Sequence, residues 1–107
     1  MARAAAKKSD AIKFLEGLMG GPLTFGEMVR SIRETDELTQ DDVAKRVGVS
    51  KHHVSDVENG RRKVSIERAA RWAKALGSPP AYFVRMVAQE EIDAVGVKLK
   101  VVSDDAA

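Results

Sequence analysis

The sequence predicts an all-α domain of five helices, with a short helix before it and a short β-strand after it. Two observations carry this. Apolar residues recur at helical spacing in five successive windows between residues 23 and 95. Each window opens on a threonine, serine or proline suited to a helix N-terminus, and four of the five close at a glycine. Composition agrees: 44% of the 107 residues are apolar but only 5% aromatic, the profile of a small helical protein packed by Val, Ala, Leu and Ile.

The organisation divides into residues 1–22, an N-terminal tail and short amphipathic helix; 23–95, the main domain; and 96–107, a C-terminal strand and tail. The Ala-rich, basic start, residues 1–8, has nothing large enough to anchor it and is expected to be disordered. Ile12, Phe14, Leu15 and Leu18 then make an amphipathic helix of about three turns, cut off by Gly20-Gly21-Pro22. Too short to be stable alone, it must dock on its own domain or on another molecule.

Thr24 and Glu27 have capping-box spacing and open a helix to about Thr35 that buries Phe25, Met28, Val29 and Ile32. After Asp36-Glu37, Thr39 caps a second helix, with Asp41 and Asp42 complementing its dipole. Gly48 suits the left-handed residue that stops this helix, and Ser50 caps a third, Lys51 to Glu58, closed by Asn59-Gly60. A basic loop, Arg61-Arg62-Lys63, leads to Ser65 and a fourth helix with the stripe Ile66, Ala69, Ala70, Ala73 and Leu76. Gly77 stops it. Pro79 or Pro80 opens a fifth helix carrying Phe83, Val84, Met86, Val87 and Ile92, ending near Gly96. VKLKVV alternates apolar and basic residues, the pattern of a half-buried strand, and SDDAA should fray. A strand without a partner in its own chain implies pairing with a second copy or with another protein; the alternative is a disordered tail.

With no cysteine, disulfides, thiolate metal sites and a cysteine nucleophile are excluded. No apolar run approaches the roughly 20 residues of a membrane span, and the start lacks the apolar core of a signal peptide. A soluble, cytoplasmic protein is expected. Net charge is only +2, yet Lys45 to Lys74 holds nine basic residues against three acids. Positive charge concentrated in one segment favours approach to phosphates.

That segment contains the most specific pattern in the chain. Val43, Val47, Val49, Val54 and Val57 bury one side of two short helices, Ala44 lies at their crossing, and Gly48 makes the tight turn between them. This is a helix-turn-helix, whose second helix enters the DNA major groove. With Val54 and Val57 inward, steps of 100° place His52, Ser55, Asp56 and Asn59 outward, with Lys51 at the N-terminal end. Lys51 can donate to guanine, His52 can donate or accept, and Asp56 can accept from cytosine while repelling phosphate. Gln40 and Asn59 are placed for backbone phosphates, as are Arg61, Arg62 and Lys63 by charge.

The adjacent His52 and His53 point about 100° apart and have no other His or Cys to join them, so no metal is expected. His53 lies nearer the buried edge. No catalytic triad or glycine-rich phosphate loop can be assembled, so neither an enzyme nor a cofactor is expected.

The run LTQDDVAKRVGVSKHHVSDVENGRR resembles the Cro/cI-type (Xre) helix-turn-helix regulators in Thr39-Gln40, Ala44, Gly48 and Glu58-Asn59-Gly60. The resemblance implies a five-helix lambda repressor-like domain over about residues 25–83. It implies base reading by Lys51, His52, Ser55 and Asp56, with phosphate contacts from Thr39, Gln40, Asn59, Arg61 and Lys63. It also implies a buried Arg33–Glu58 pair. Lys51 stands where phage repressors often carry glutamine, so operator sequence does not transfer. The flanks, GGPLTFGEMVRSIRE, SIERAARWAKALG and YFVRMVAQEEIDAVGVKLKV, are similar to HigA-like antitoxins, which implies a homodimer that represses its own operon. In that case Ile12, Phe14, Leu15 and Leu18 would contact a small ribonuclease toxin.

Overall fold

The computed structural model describes residues 23–102 and 104. The expected disordered start, the N-terminal helix and most of the fraying end lie outside the described residues. Five helices form among those described: α1 Phe25–Thr35, α2 Gln40–Val47, α3 Lys51–Glu58, α4 Ile66–Leu76 and α5 Pro80–Ala94.

Local chemistry sets their starts. The Thr24 hydroxyl accepts from the Glu27 amide at 3.1 Å and the Glu27 carboxylate accepts from the Thr24 amide at 2.9 Å. Thr39 and Asp42 repeat this box at 3.0 and 2.8 Å, and Ser50 and Ser65 accept from His53 and Arg68 amides. Each such cap satisfies an amide that has no partner within its helix and stabilises by about 1 kcal/mol. Gly48 closes α2 with φ 87° and Gly77 closes α4 with φ 69°. Both are the left-handed conformations in which a Cβ is costly.

The core contains Trp72, Phe83, Met28, Leu76, Val29, Val43, Val54 and Val57, all essentially inaccessible. Phe25 meets the Trp72 and Phe83 rings edge-on, with centroids 6.4 and 5.6 Å away. α4 and α5 share the most extensive contact, while α3 packs on α1 and α2. At eight residues α3 is too short to hold itself, so its pose depends on those neighbours.

Two expectations are corrected. The strand over VKLKVV does not form in the single chain, and no strand occurs among the described residues. A ladder needs a second strand, and the described residues supply none. Instead the Gln89 amide of α5 donates to Leu99 O at 2.7 Å and accepts from Val101 N at 2.8 Å. The apolar stripe of α4 is also shifted. Ile66, in the first turn, is 42% exposed, whereas Trp72 is buried beside Ala69, Ala73 and Leu76.

Candidate nucleic-acid interface

α3 is positioned by its inward side. Val54 and Val57 enter the core, and Glu58, also on α3, is buried against Arg33 of α1. The two side chains are bonded twice, Nε to Oε2 at 2.7 Å and Nη2 to Oε1 at 3.1 Å. Arg33 Nη1 also donates to Leu38 O at 3.0 Å, and Gln40 Nε2 donates to Glu58 Oε1 at 3.1 Å. One carboxylate on α3 therefore joins α1 and α2, and its partner Arg33 also holds the α1–α2 link. The carboxylate's hydrogen bonds hold the Arg33 guanidinium charged, raising its pKa.

A second, backbone contact sets the same distance. A Cβ placed on Gly26 would overlap the Val57 carbonyl oxygen and come within 2.8 Å of Glu58 O. Only glycine lets the start of α1 approach the end of α3 so closely. Nothing local in the sequence distinguishes Gly26 from an ordinary residue of a first helical turn.

The outward side of α3 carries Lys51 and His52 exposed and Ser55 and Asp56 partly buried. Lys51 has no ion-pair partner among the described residues. Asp56 faces two groups: Arg61 Nε donates to Oδ1 at 3.0 Å, and His52 Nε2 lies 3.7 Å from Oδ2. The Arg61 bond holds the Asp56 carboxyl below its ordinary range, assisted by the nearby His52 and Arg62. The same bond draws the loop Gly60–Val64 alongside the outward side of α3. Arg62 and Lys63 extend from that loop, exposed and without ion-pair partners among the described residues.

The other polar residues of the two-helix unit are placed differently from one another. Thr39 and Ser50 use their hydroxyls as helix caps. Gln40 turns its amide inward to Glu58, leaving a second N–H to offer. Asn59 folds back on α3, donating from Nδ2 to Ser55 O at 2.9 Å. His53 stacks at a tilt near Trp72, centroids 6.2 Å apart; burial lowers its pKa, and Arg62 and Arg68 lower it further. Arg68 and Arg71 of α4, seen in the sequence only as charge, line a cleft of about 350 Å³ with His53 and the α2–α3 turn.

A two-helix unit with a glycine turn, a polar outward face opening on Lys51 and a basic loop beside it is the geometry of a DNA reader. The helix-turn-helix family model matches residues 29–83, about half of the chain. The chain belongs to this family of DNA-binding transcriptional regulators. An HTH-type transcriptional regulator from Mycobacterium tuberculosis is 35% identical over 82 residues, covering 76% of this chain and 59% of that protein. The control protein C.BamHI of Bacillus amyloliquefaciens is 36% identical over 59 residues, covering 54% of this chain and 73% of its own. A transcriptional regulator in the ATPase CF(0) region of Rhodospirillum rubrum is 40% identical over 58 residues, 54% of each chain.

This helix-turn-helix regulator thus spans about three-fifths of the length of its mycobacterial relative. The family match makes residues 29–83 a DNA-binding unit. Among the described residues no helix is long and apolar enough to cross a membrane.

Proposed function

We propose that this regulator is a cytoplasmic repressor that binds a palindromic operator as a homodimer. Lys51, His52 and Ser55 of α3 read base edges, while Gln40, Arg62 and Lys63 contact phosphates. The observation that carries this reading is the exposed N-terminal end of α3, where Lys51 has no ion-pair partner among the described residues, with the basic loop drawn alongside it by the Arg61–Asp56 bond. Dimerisation is supported by exposed Val95, Val97, Leu99 and Val102, aliphatic residues in one segment after α5. Two copies of α3 related by a twofold axis meet successive major grooves about 34 Å apart.

Selection of bound sequences from random DNA tests this. A palindrome with half-sites one helical turn apart, or a multiple of it, is the expected result, and a Lys51→Ala variant should select an altered motif. Failure to enrich any motif would refute sequence-specific reading.

A second reading, an antitoxin for a small ribonuclease toxin, is favoured by the sequence alone. Ile12, Phe14, Leu15 and Leu18 form an apolar set separated from the domain by Gly20-Gly21-Pro22. Deleting residues 1–22 should then abolish binding of a toxin encoded beside this gene and spare operator binding. Loss of both would assign the segment to the DNA-binding domain.

A further inference from the structure

We propose that Arg61 reads a guanine in the major groove and that Asp56 is the positioning residue that holds it in pose. This rests on the reading of α3 as the groove helix. The basic loop has three consecutive cations, which by charge alone are equivalent phosphate contacts. The structure separates them. All three are exposed, but Arg62 and Lys63 have no ion-pair partner among the described residues, whereas the Arg61 side chain is paired with Asp56. The Asp56 carbonyl accepts from the amides of both Arg61 and Arg62, at 2.8 and 3.2 Å, but of the three cations Arg61 alone brings its side chain to the carboxylate, Nε to Oδ1 at 3.0 Å.

Three consequences follow from that pose. Asp56 lies on the outward side of α3 one turn after His52, so its partner Arg61 is held beside the base-reading residues. The bond engages Nε, which leaves the Nη donors free as a fork suited to guanine O6 and N7. Holding the fork in place before binding lowers the ordering cost of a long, rotamer-rich side chain.

Charge argues in the same direction. A guanidinium already paired with a carboxylate is close to neutral as a unit and is a weak attractor of phosphate. Base recognition depends on directed hydrogen bonds, and pairing leaves those intact. Asp56 is in turn poorly placed to read cytosine itself. Its side chain is only 16% exposed, one oxygen accepts from Arg61 and the other faces His52.

The test is selection of bound sequences from random DNA with the full chain, comparing wild type with Arg61→Ala, Arg61→Lys, Asp56→Ala and Asp56→Asn. Salt dependence of affinity is then measured on the wild-type sequence. Arg61→Ala should lose one guanine preference per half-site, a factor of about 10–100, and keep the rest of the motif. Its salt slope should stay near that of wild type. Arg61→Lys, which keeps the charge without the planar fork, should lose the same preference. Asp56→Ala should relax the same position, and Asp56→Asn, which keeps an acceptor for Nε, should restore it.

Uniform weakening on every sequence by Arg61→Ala, with the salt slope reduced by about one, would make Arg61 a phosphate contact and overturn the proposal. An unchanged motif in both Arg61 variants would overturn it too. Absence of any motif for wild type would overturn the groove-helix reading beneath it.

Discussion

Two guanidinium–carboxylate pairs sit on opposite sides of α3, and they differ in almost everything except chemistry. Arg33–Glu58 is bidentate and buried, with side chains 13% and 2% exposed. Asp56–Arg61 has one bond from Nε, and its arginine is 60% exposed. Removing one member of the buried pair leaves a charge in low dielectric with nothing to satisfy it, so the pair enforces geometry. Water can replace either member of the exposed pair, so it contributes little to stability and governs presentation. The comparison shows how a two-turn helix can be held rigidly on one side and remain available on the other.

The buried side gives the largest expected effect. Glu58→Ala strands Arg33 and removes the acceptor of Gln40, and should cost about 3–5 kcal/mol in urea unfolding. An unchanged midpoint would remove the distinction between the pairs. Gly26→Ala attacks the same junction through the backbone, since its Cβ must displace the Val57 and Glu58 carbonyls. The cost should be about 1–3 kcal/mol, with α3 shifted and operator affinity reduced.

His53 stands between the two sides. Its folded pKa lies below the ordinary 6.5, chiefly because burial disfavours the charged ring. The unfolded chain therefore takes up a proton first as pH falls. Stability should be full above that ordinary value, decline as pH drops below it, and level off below the folded pKa. Thermal melts of wild type and His53→Gln across this range check it, with the decline expected to be shallower in the variant. The smallest effect belongs to the exposed side: Asp56→Asn should leave the melting temperature essentially unchanged. A large drop would show that this pair, too, holds the fold.

What is legible in the sequence is local. Thr24, Thr39, Ser50 and Ser65 cap the helices expected of them, and Gly48 and Gly77 stop them, because a cap or a left-handed turn is determined within a few residues. The outward position of Lys51 and His52 followed from helical periodicity. The Arg33–Glu58 pair was reached through family resemblance rather than spacing, and the structure contains it. What escaped is non-local. Gly26 matters only because the end of α3 lies against it, and Gln40 turns inward only because Glu58 is there to accept. Trp72, set among alanines, joins the core through its contacts with Phe25 of α1 and His53 of α3. Alternation in VKLKVV is a strand signal, but a strand also requires a partner strand, and among the described residues the segment meets the side chain of Gln89 instead.

The central claim is that α3 is fixed by its Glu58 side and presents its Lys51–His52 side, with the loop beside it, to DNA. Backbone amide NMR of the full chain, titrated with its selected duplex, tests this most directly. The largest shifts are expected at Lys51, His52, Ser55 and residues 60–63, with the Arg33–Leu38 segment little changed. Large shifts confined to α4 and α5, with α3 unmoved, would contradict it.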